Sequence, residues 1–455
     1  MTTTVQTPES STKDELKEML LDNLPPHFNA SQFEKIESLP SMFAHSFVNA
    51  QSSATNTASA AIARFFRARF TSLLGSLKGG KITLVDPQGT LVLGDETAEL
   101  QCHIHVGDIS TYTQIALGGA NGCGQAFIDG LWTTNRLTEL IRIFVRNRLV
   151  LQKMDSGFAK FAQFAYRCWH AQNRNTRSGS KRNIAAHYDL GNDFFRLFLD
   201  DRMMYSSALY SAGDNLQKAS DRKLQRICDA LDLDEADHLI EIGSGWGGFA
   251  CYAAKTTGCR ITTVTISQEQ YSEAIKAVKK ENLEHLVSVK LQDYRDIEGQ
   301  FDKLVSIEMI EAIGHQYLDV YFRKINSLLK KDGKALIQAI VIDDSEYEAA
   351  LTRVDFIKRY IFPGGFMPCY RVITENAARN RLMIEDLHDM GLSYAQTLRD
   401  WRKLFYQHIE TIKQRGYDEQ FQRMWEFYLC YCEGAFDERA TSVGQILFRK
   451  QAGAE

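Results

Sequence analysis

The chain has 455 residues, of which 44% are hydrophobic and 24% charged, and its formal net charge is −4. That length exceeds one ordinary domain, and the apolar share suits a water-soluble fold with a sizeable core. The charge argues against nucleic-acid binding driven by overall basicity. No run of about 18 apolar residues is present to span a bilayer, and the polar start "MTTTVQTPESSTKDELKEM" lacks the apolar stretch of a secretory signal. Nine cysteines with no CxxC pair and no histidine ladder predict reduced thiols in a cytoplasmic protein, and no metal site.

In chain order, residues 1–57 form a polar segment ending near "SSATNTASA". Phe66, Phe70, Leu73, Leu74 and Leu77 then recur at helical spacing with Arg64, Arg67 and Arg69 between them. This predicts a basic amphipathic helix, docked on its own domain in preference to a membrane. From Lys81 to about Ile115 the pattern alternates in three short strands, "KITLVD", "TLVLGD" and "LQCHIHVGD", and residues 131–166 turn helical again. Residues 58–166 thus read as a small α+β domain without a catalytic constellation. A linker follows at 167–183, with Arg167, Arg174, Arg177, Lys181 and Arg182 and no acid. An anionic lipid surface would attract such a segment by about 1 kcal/mol per cation.

Residues 184–455 alternate between strand and helix. Strands are predicted at 237–243, 260–266, 286–291, 302–308 and 334–342, with helices at 247–256, 268–282 and 317–330 between them. After 343 comes a helical excursion, with helices near 396–415 and 418–435 and a last strand at 443–450. Alternation of this kind predicts a parallel sheet covered on both faces. The stretch "EIGSGWGG" carries Glu241, Gly243, Ser244, Gly245 and Gly247 on the turn after the first strand, where backbone amides and a helix N-terminus meet a ligand. A dinucleotide site wants an acid at the end of the second strand. Here "RITTVTIS" ends without one, and Thr265 and Gln270 lie in that region. The turn therefore favours the Rossmann-like class I fold of S-adenosylmethionine methyltransferases, with a dehydrogenase as runner-up.

Further phrases narrow the reading. "AAHYDLGNDFFRLFLDDRMMYSSALYS", "TVTISQEQ", "LQDYRD", "VSIEMIEAIGHQYLDVYF" and "DFIKRYIFPGG" occur in that order. Together they closely resemble the cyclopropane-fatty-acyl-phospholipid synthase family over roughly residues 183–450. The resemblance implies a catalytic domain at 184–455 that transfers the methyl carbon of S-adenosylmethionine to the cis double bond of a phospholipid acyl chain. It further implies a carbocation that loses a proton to close a cyclopropane ring, a soluble enzyme at the cytoplasmic face of the inner membrane, and a homodimer.

Residue by residue, the resemblance assigns Tyr205 and Ser206 to a lid over the cofactor. The Glu241–Gly247 turn goes to its methionine end, Thr265 and Gln270 to its ribose, and Asp293 to its adenine, although Asp293 also suits a turn cap. The family's base is a bicarbonate ion, and its ligand positions fall here on Ser207, Glu311, Gln338, the Ile340 backbone and Tyr394. Ser207 and Gln338 depart from the family's cysteine and histidine. Both still offer hydrogen bonds to an anion, but neither moves protons near neutral pH as an imidazole does. After a hydride shift the same cation yields a methyl- or methylene-branched chain, so a branched product is the alternative, and a non-catalytic lipid- or cofactor-binding protein the second. Of the pair Glu308 and Glu311, one is expected to be a solvated or capping residue. The aromatic helices after 396 are expected to pack in a core, or else to line an acyl tunnel.

Overall fold

The computed structural model describes residues 54–148, 175 and 190–451. Nearly all of the polar N-terminal segment, and all of the basic linker except Asn175, lie outside them.

The N-terminal part opens with α1 (Ala54–Leu74), then β1 (Lys81–Asp86), β2 (Gly89–Gly94) and β3 (Gln101–Val106). These are followed by α2 (Thr111–Ile128), β4 (Trp132–Thr134) and α3 (Leu137–Arg146). The four strands form one sheet in the order β2-β1-β3-β4. As predicted, α1 docks on its own domain: Phe66 and Phe70 pack against the core, while Arg67 grips the buried Asp86 through Nε at 2.5 Å and Nη2 at 3.1 Å. Tyr112 donates its hydroxyl to the same carboxylate at 2.6 Å. The sequence reading missed α2, whose glycines dilute its helical signal. One of them has a packing reason, since a Cβ on Gly124 would lie 2.7 Å from the Phe356 ring.

The second sheet is built from β5 (His238–Ile242), β6 (Arg260–Thr265), β7 (Val287–Leu291), β8 (Phe301–Ile307), β9 (Leu329–Ile342), β10 (Leu382–Asp389) and β11 (Thr441–Lys450). Its order is β10-β11-β9-β8-β5-β6-β7. The predicted strands from 237 to 342 pair in parallel. The sheet is nevertheless mixed, because β11 runs antiparallel to β9 and β10 antiparallel to β11. Strand β10 was not foreseen. In "LMIEDLHD" only Leu382 is buried, so this edge strand carries no continuous apolar run. The longer helices are α4 (Leu216–Leu231), α5 (Gly248–Thr257), α6 (Gln268–Lys280), α7 (Leu318–Leu328), α8 (Tyr370–Arg379), α9 (Gly391–Gln407) and α10 (Glu419–Asp437). From β5 the chain adds β6 and β7 on one side and then β8 and β9 on the other. The order therefore switches at β5/β8, and a crevice opens at the carboxyl ends there.

Helix α10 packs on α9, α2 and α3 and so joins the two sheets. Trp132, Leu140, Trp401 and Trp425 belong to one continuous hydrophobic core. Polar ties reinforce the junction: Glu438 accepts from Arg142 and Arg146, each at 2.7 Å, and the buried Glu433 accepts from Arg399 and Arg402. No helix among the described residues is long and apolar enough to cross a membrane.

Candidate active site

A cavity of about 570 Å³ occupies the crevice. The glycine turn forms its floor. Gly243, Gly245 and Gly247 have φ of 96°, 48° and 91°, left-handed values that glycine adopts without penalty. The amides of Gly243 and Ser244 donate to the Val264 carbonyl at 3.0 and 2.9 Å, tying the turn to β6. Gly243, Ser244 and Gly245 line the cavity. Gly247 does not; it caps α5, and a Cβ there would lie 3.2 Å from Ala274 Cα.

Glu241 lines the cavity at the end of β5, is 2% exposed, and leaves Oε2 without a hydrogen-bond partner among the described residues. Burial pushes its carboxyl up to about 8. A buried carboxyl with a vacant acceptor fits a cationic ligand group such as the ammonium of S-adenosylmethionine. Thr265 and Gln270 face the same space, joined by a 2.9 Å hydrogen bond from Thr265 Oγ1. Asp293 is the turn cap that its sequence context also suited. It lines the cavity and also caps the Tyr294–Asp296 turn, accepting from Arg295 N at 3.0 Å and from the Arg295 guanidinium at 2.9 and 2.6 Å. Tyr205 and Ser206 complete this end. The Tyr205 ring stacks on Trp401 and its hydroxyl shares a 2.9 Å hydrogen bond with Tyr428. Ser206 Oγ accepts from the fully buried Lys223 at 2.8 Å.

At the deep end the structure places a group that the sequence reading left aside. Glu308 is no cap, and it is only partly exposed. It follows β8 with φ of 47° and lines the cavity. Its Oε1 accepts from the Ser207 amide at 2.9 Å and from Gln338 Nε2 at 2.8 Å, and its Oε2 accepts from the Tyr394 hydroxyl at 2.9 Å. Three of the positions assigned to an anion's ligands thus converge on a carboxylate of the chain itself. Ser207 takes part through its backbone, because its hydroxyl donates to the Ala208 carbonyl. Ser207 and Gln338 lie behind Glu308 and do not line the cavity, whereas Tyr394 does.

The other two positions pair separately. Glu311 Oε1 accepts from Ile340 N at 2.5 Å, and Oε2 is buried without a partner among the described residues. Burial, reinforced by Glu308 nearby, pushes Glu311 up to about 8. Burial likewise raises Glu308, against the opposing pull of the Ser207 amide, Gln338 and Lys223. Beyond the carboxylates the walls turn apolar, with Ile313, Phe362, Phe366, Leu398 and Phe436. Of the aromatic helices, Trp401 and Trp425 are core residues, as expected, while Tyr394, Tyr428, Tyr431 and Cys432 line the cavity. No cluster of metal-binding side chains occurs among the described residues.

Comparison with known proteins agrees with this geometry. The family described as mycolic acid cyclopropane synthetase matches residues 175–446. The tuberculostearic acid methyltransferase UfaA1 of Mycobacterium tuberculosis is 34% identical over 85% of this chain and 91% of its own length. The cyclopropane-fatty-acyl-phospholipid synthase of Escherichia coli is 33% identical over 81% of this chain and 92% of its own. Among solved structures, the mycolic acid cyclopropane synthase CmaA1 complexed with SAH and CTAB superposes with a TM-score of 0.56 at 27% identity, covering 59% of this chain and 98% of that one. With the glycine turn, the crevice and the buried carboxylates in place, the chain belongs to the mycolic acid cyclopropane synthetase family and is an S-adenosylmethionine-dependent methyltransferase.

Proposed function

We propose that the protein adds the methyl carbon of S-adenosylmethionine to the cis double bond of an unsaturated phospholipid acyl chain, and that Glu308 removes the proton that completes the product. The observation that carries the reading is the Glu308 carboxylate, held by Ser207, Gln338 and Tyr394 at the meeting of the polar turn and the apolar wall. When bound, S-adenosylmethionine supplies an electrophilic methyl group to the alkene. Glu241 faces its ammonium, the Gly243–Gly247 turn makes room for its methionine end, Thr265 and Gln270 take the ribose, and Asp293 the adenine. Tyr205 and Ser206 close over it. The apolar wall shields the cation formed on the acyl chain from water. Glu308 then accepts a proton from the new methyl group, in the place where the family resemblance puts bicarbonate. Glu311, anchored on Ile340 N, is raised to about 8 in the free protein; a cation brought near it favours its ionised form, which in turn stabilises that cation.

The first product reading is a cyclopropane ring. The branched product is the second, favoured by the 34% identity to a tuberculostearic acid methyltransferase. In the same reading the protein works at the cytoplasmic face of the membrane, drawn there by the 167–183 basic segment, with 58–166 and 184–455 as its two domains. The test uses purified protein, S-adenosylmethionine and vesicles whose phospholipids carry cis-monounsaturated chains. One added methylene unit per chain is expected, and its absence on every unsaturated lipid tried sinks the proposal. Proton NMR separates the products: high-field cyclopropyl signals mean a ring, new olefinic signals a branch. Glu308→Gln is expected to cut turnover by roughly 10²–10⁴-fold while S-adenosylhomocysteine still binds.

A further inference from the structure

Gln338 holds Glu308 twice. Its carbonyl accepts from the Glu308 amide at 2.8 Å, and its Nε2 donates to Glu308 Oε1 at 2.8 Å. An ionised carboxylate only accepts hydrogen bonds, so the amide must turn its nitrogen toward Glu308 and its oxygen away. That oxygen then faces β11, inside a core where both glutamines are at most 1% exposed. Gln445 stands directly opposite Gln338 in the β9–β11 register. Its Nε2 donates to Gln338 Oε1 at 3.0 Å, while its own Oε1 is left without a partner among the described residues. Such an orphaned buried acceptor costs about 1–3 kcal/mol, so the placement spends stability on the hydrogen bond that Gln445 makes.

We infer that Gln445 is a positioning residue for the reaction: by donating to Gln338 Oε1 it fixes the amide in the one orientation that keeps a hydrogen bond on the Glu308 carboxylate. The inference rests on the reading of Glu308 as the base. Without the Gln445 donor the Gln338 oxygen loses its partner, and only Glu308 and, at 3.4 Å, the Ser207 carbonyl hold the amide nitrogen in place; once rotated, the amide sets its oxygen against the carboxylate and holds a proton on it. The other titratable groups facing Glu308 are Tyr394 on α9, Tyr428 on α10, Lys223 on α4 and Glu311 in its own loop. None of them is altered by a change at 445.

The experiment compares Gln445→Met, Gln338→Met and the double variant, on vesicles of cis-monounsaturated phospholipid, with S-adenosylhomocysteine binding as the check on folding. Gln445→Met is expected to lower turnover by about tenfold and to move the acidic limb of the pH–rate profile upward by about one unit, with binding unchanged. In the Gln338→Met background the second substitution is expected to cost less than about twofold, because its partner is already gone. The double variant replaces both polar groups by apolar ones of similar shape, so it is expected to fold even if Gln445→Met does not. Its comparison with Gln338→Met then decides alone. An unmoved pH limb in Gln445→Met, or a further tenfold loss in the double variant, overturns the inference. If Glu308→Gln keeps full turnover, the reading of the base fails instead, and the two failures are told apart.

Discussion

Glu308 has a left-handed φ of 47°, which costs a residue with a Cβ roughly 1–2 kcal/mol. Four hydrogen bonds hold it there, three on the carboxylate and one from its amide, and strain retained in this way belongs to a site that uses it. Glu308→Gly should therefore relax the backbone while emptying the space among the Ser207 amide, Gln338 Nε2 and the Tyr394 hydroxyl. Turnover is expected to collapse and then to return in part when bicarbonate or formate is added, with no such rescue of Glu308→Gln, whose side chain still fills the space. Steady-state rates against anion concentration check this. Glu241 yields a second prediction. With its carboxyl near 8 when nothing faces it, the free protein holds that proton at pH 7. An ammonium brought against Oε2 favours the ionised form, so cofactor binding should release close to one proton. Calorimetry in two buffers of different ionisation enthalpy reads the number, and Glu241→Gln should remove the release along with much of the affinity.

The glycines of the turn differ at the scale of the element. Around Gly245 a Cβ would meet nothing within 4 Å, whereas a Cβ on Gly248 would lie 2.4 Å from the Arg202 carbonyl oxygen. Gly245→Ala should cost only its φ penalty of about 1–2 kcal/mol. Gly248→Ala should cost more and displace α5, a ranking that thermal unfolding of the two variants checks. The strands from 237 to 342 and their helices were legible because each strand is an apolar run bounded by turn residues. Strand β10 and helix α2 were not, since an exposed edge and a glycine-rich segment leave no periodic signal. At the site, the residues on the turn could be placed from local spacing alone. The partnership of Glu308 with Ser207, Gln338 and Tyr394 joins positions 101, 30 and 86 residues away from it, and no local pattern records such a meeting. A left-handed φ on a glutamate likewise leaves no mark in the sequence.

For the whole molecule, the shared core and the ties from Glu438 to Arg142 and Arg146 predict that both sheets unfold together. A Cβ on Gly434 of α10 would lie 2.8 Å from the Ile141 side chain of α3. Gly434→Val should therefore split the single unfolding transition in calorimetry into two, or lower it by several degrees. Proton linkage acts at the same scale. Glu241 and Glu311 are both raised to about 8 in the folded chain, so between about pH 5 and 8 the folded state binds more protons than the unfolded one. The stability they contribute is present at acid pH and lost as pH rises through 8. Denaturant midpoints of the ligand-free protein are expected to fall over that range, and to fall less with cofactor bound at Glu241.

The backbone at Glu308 has one more consequence, at the level of the gene. Glycine is the residue that a φ of 47° suits best, and the glutamate codons GAA and GAG become glycine codons GGA and GGG by a change in the second base. A site that carries its own base and a site that must recruit an anion from solution therefore stand one nucleotide apart. A lineage can cross between them in a single step, through a backbone shape that already accommodates both.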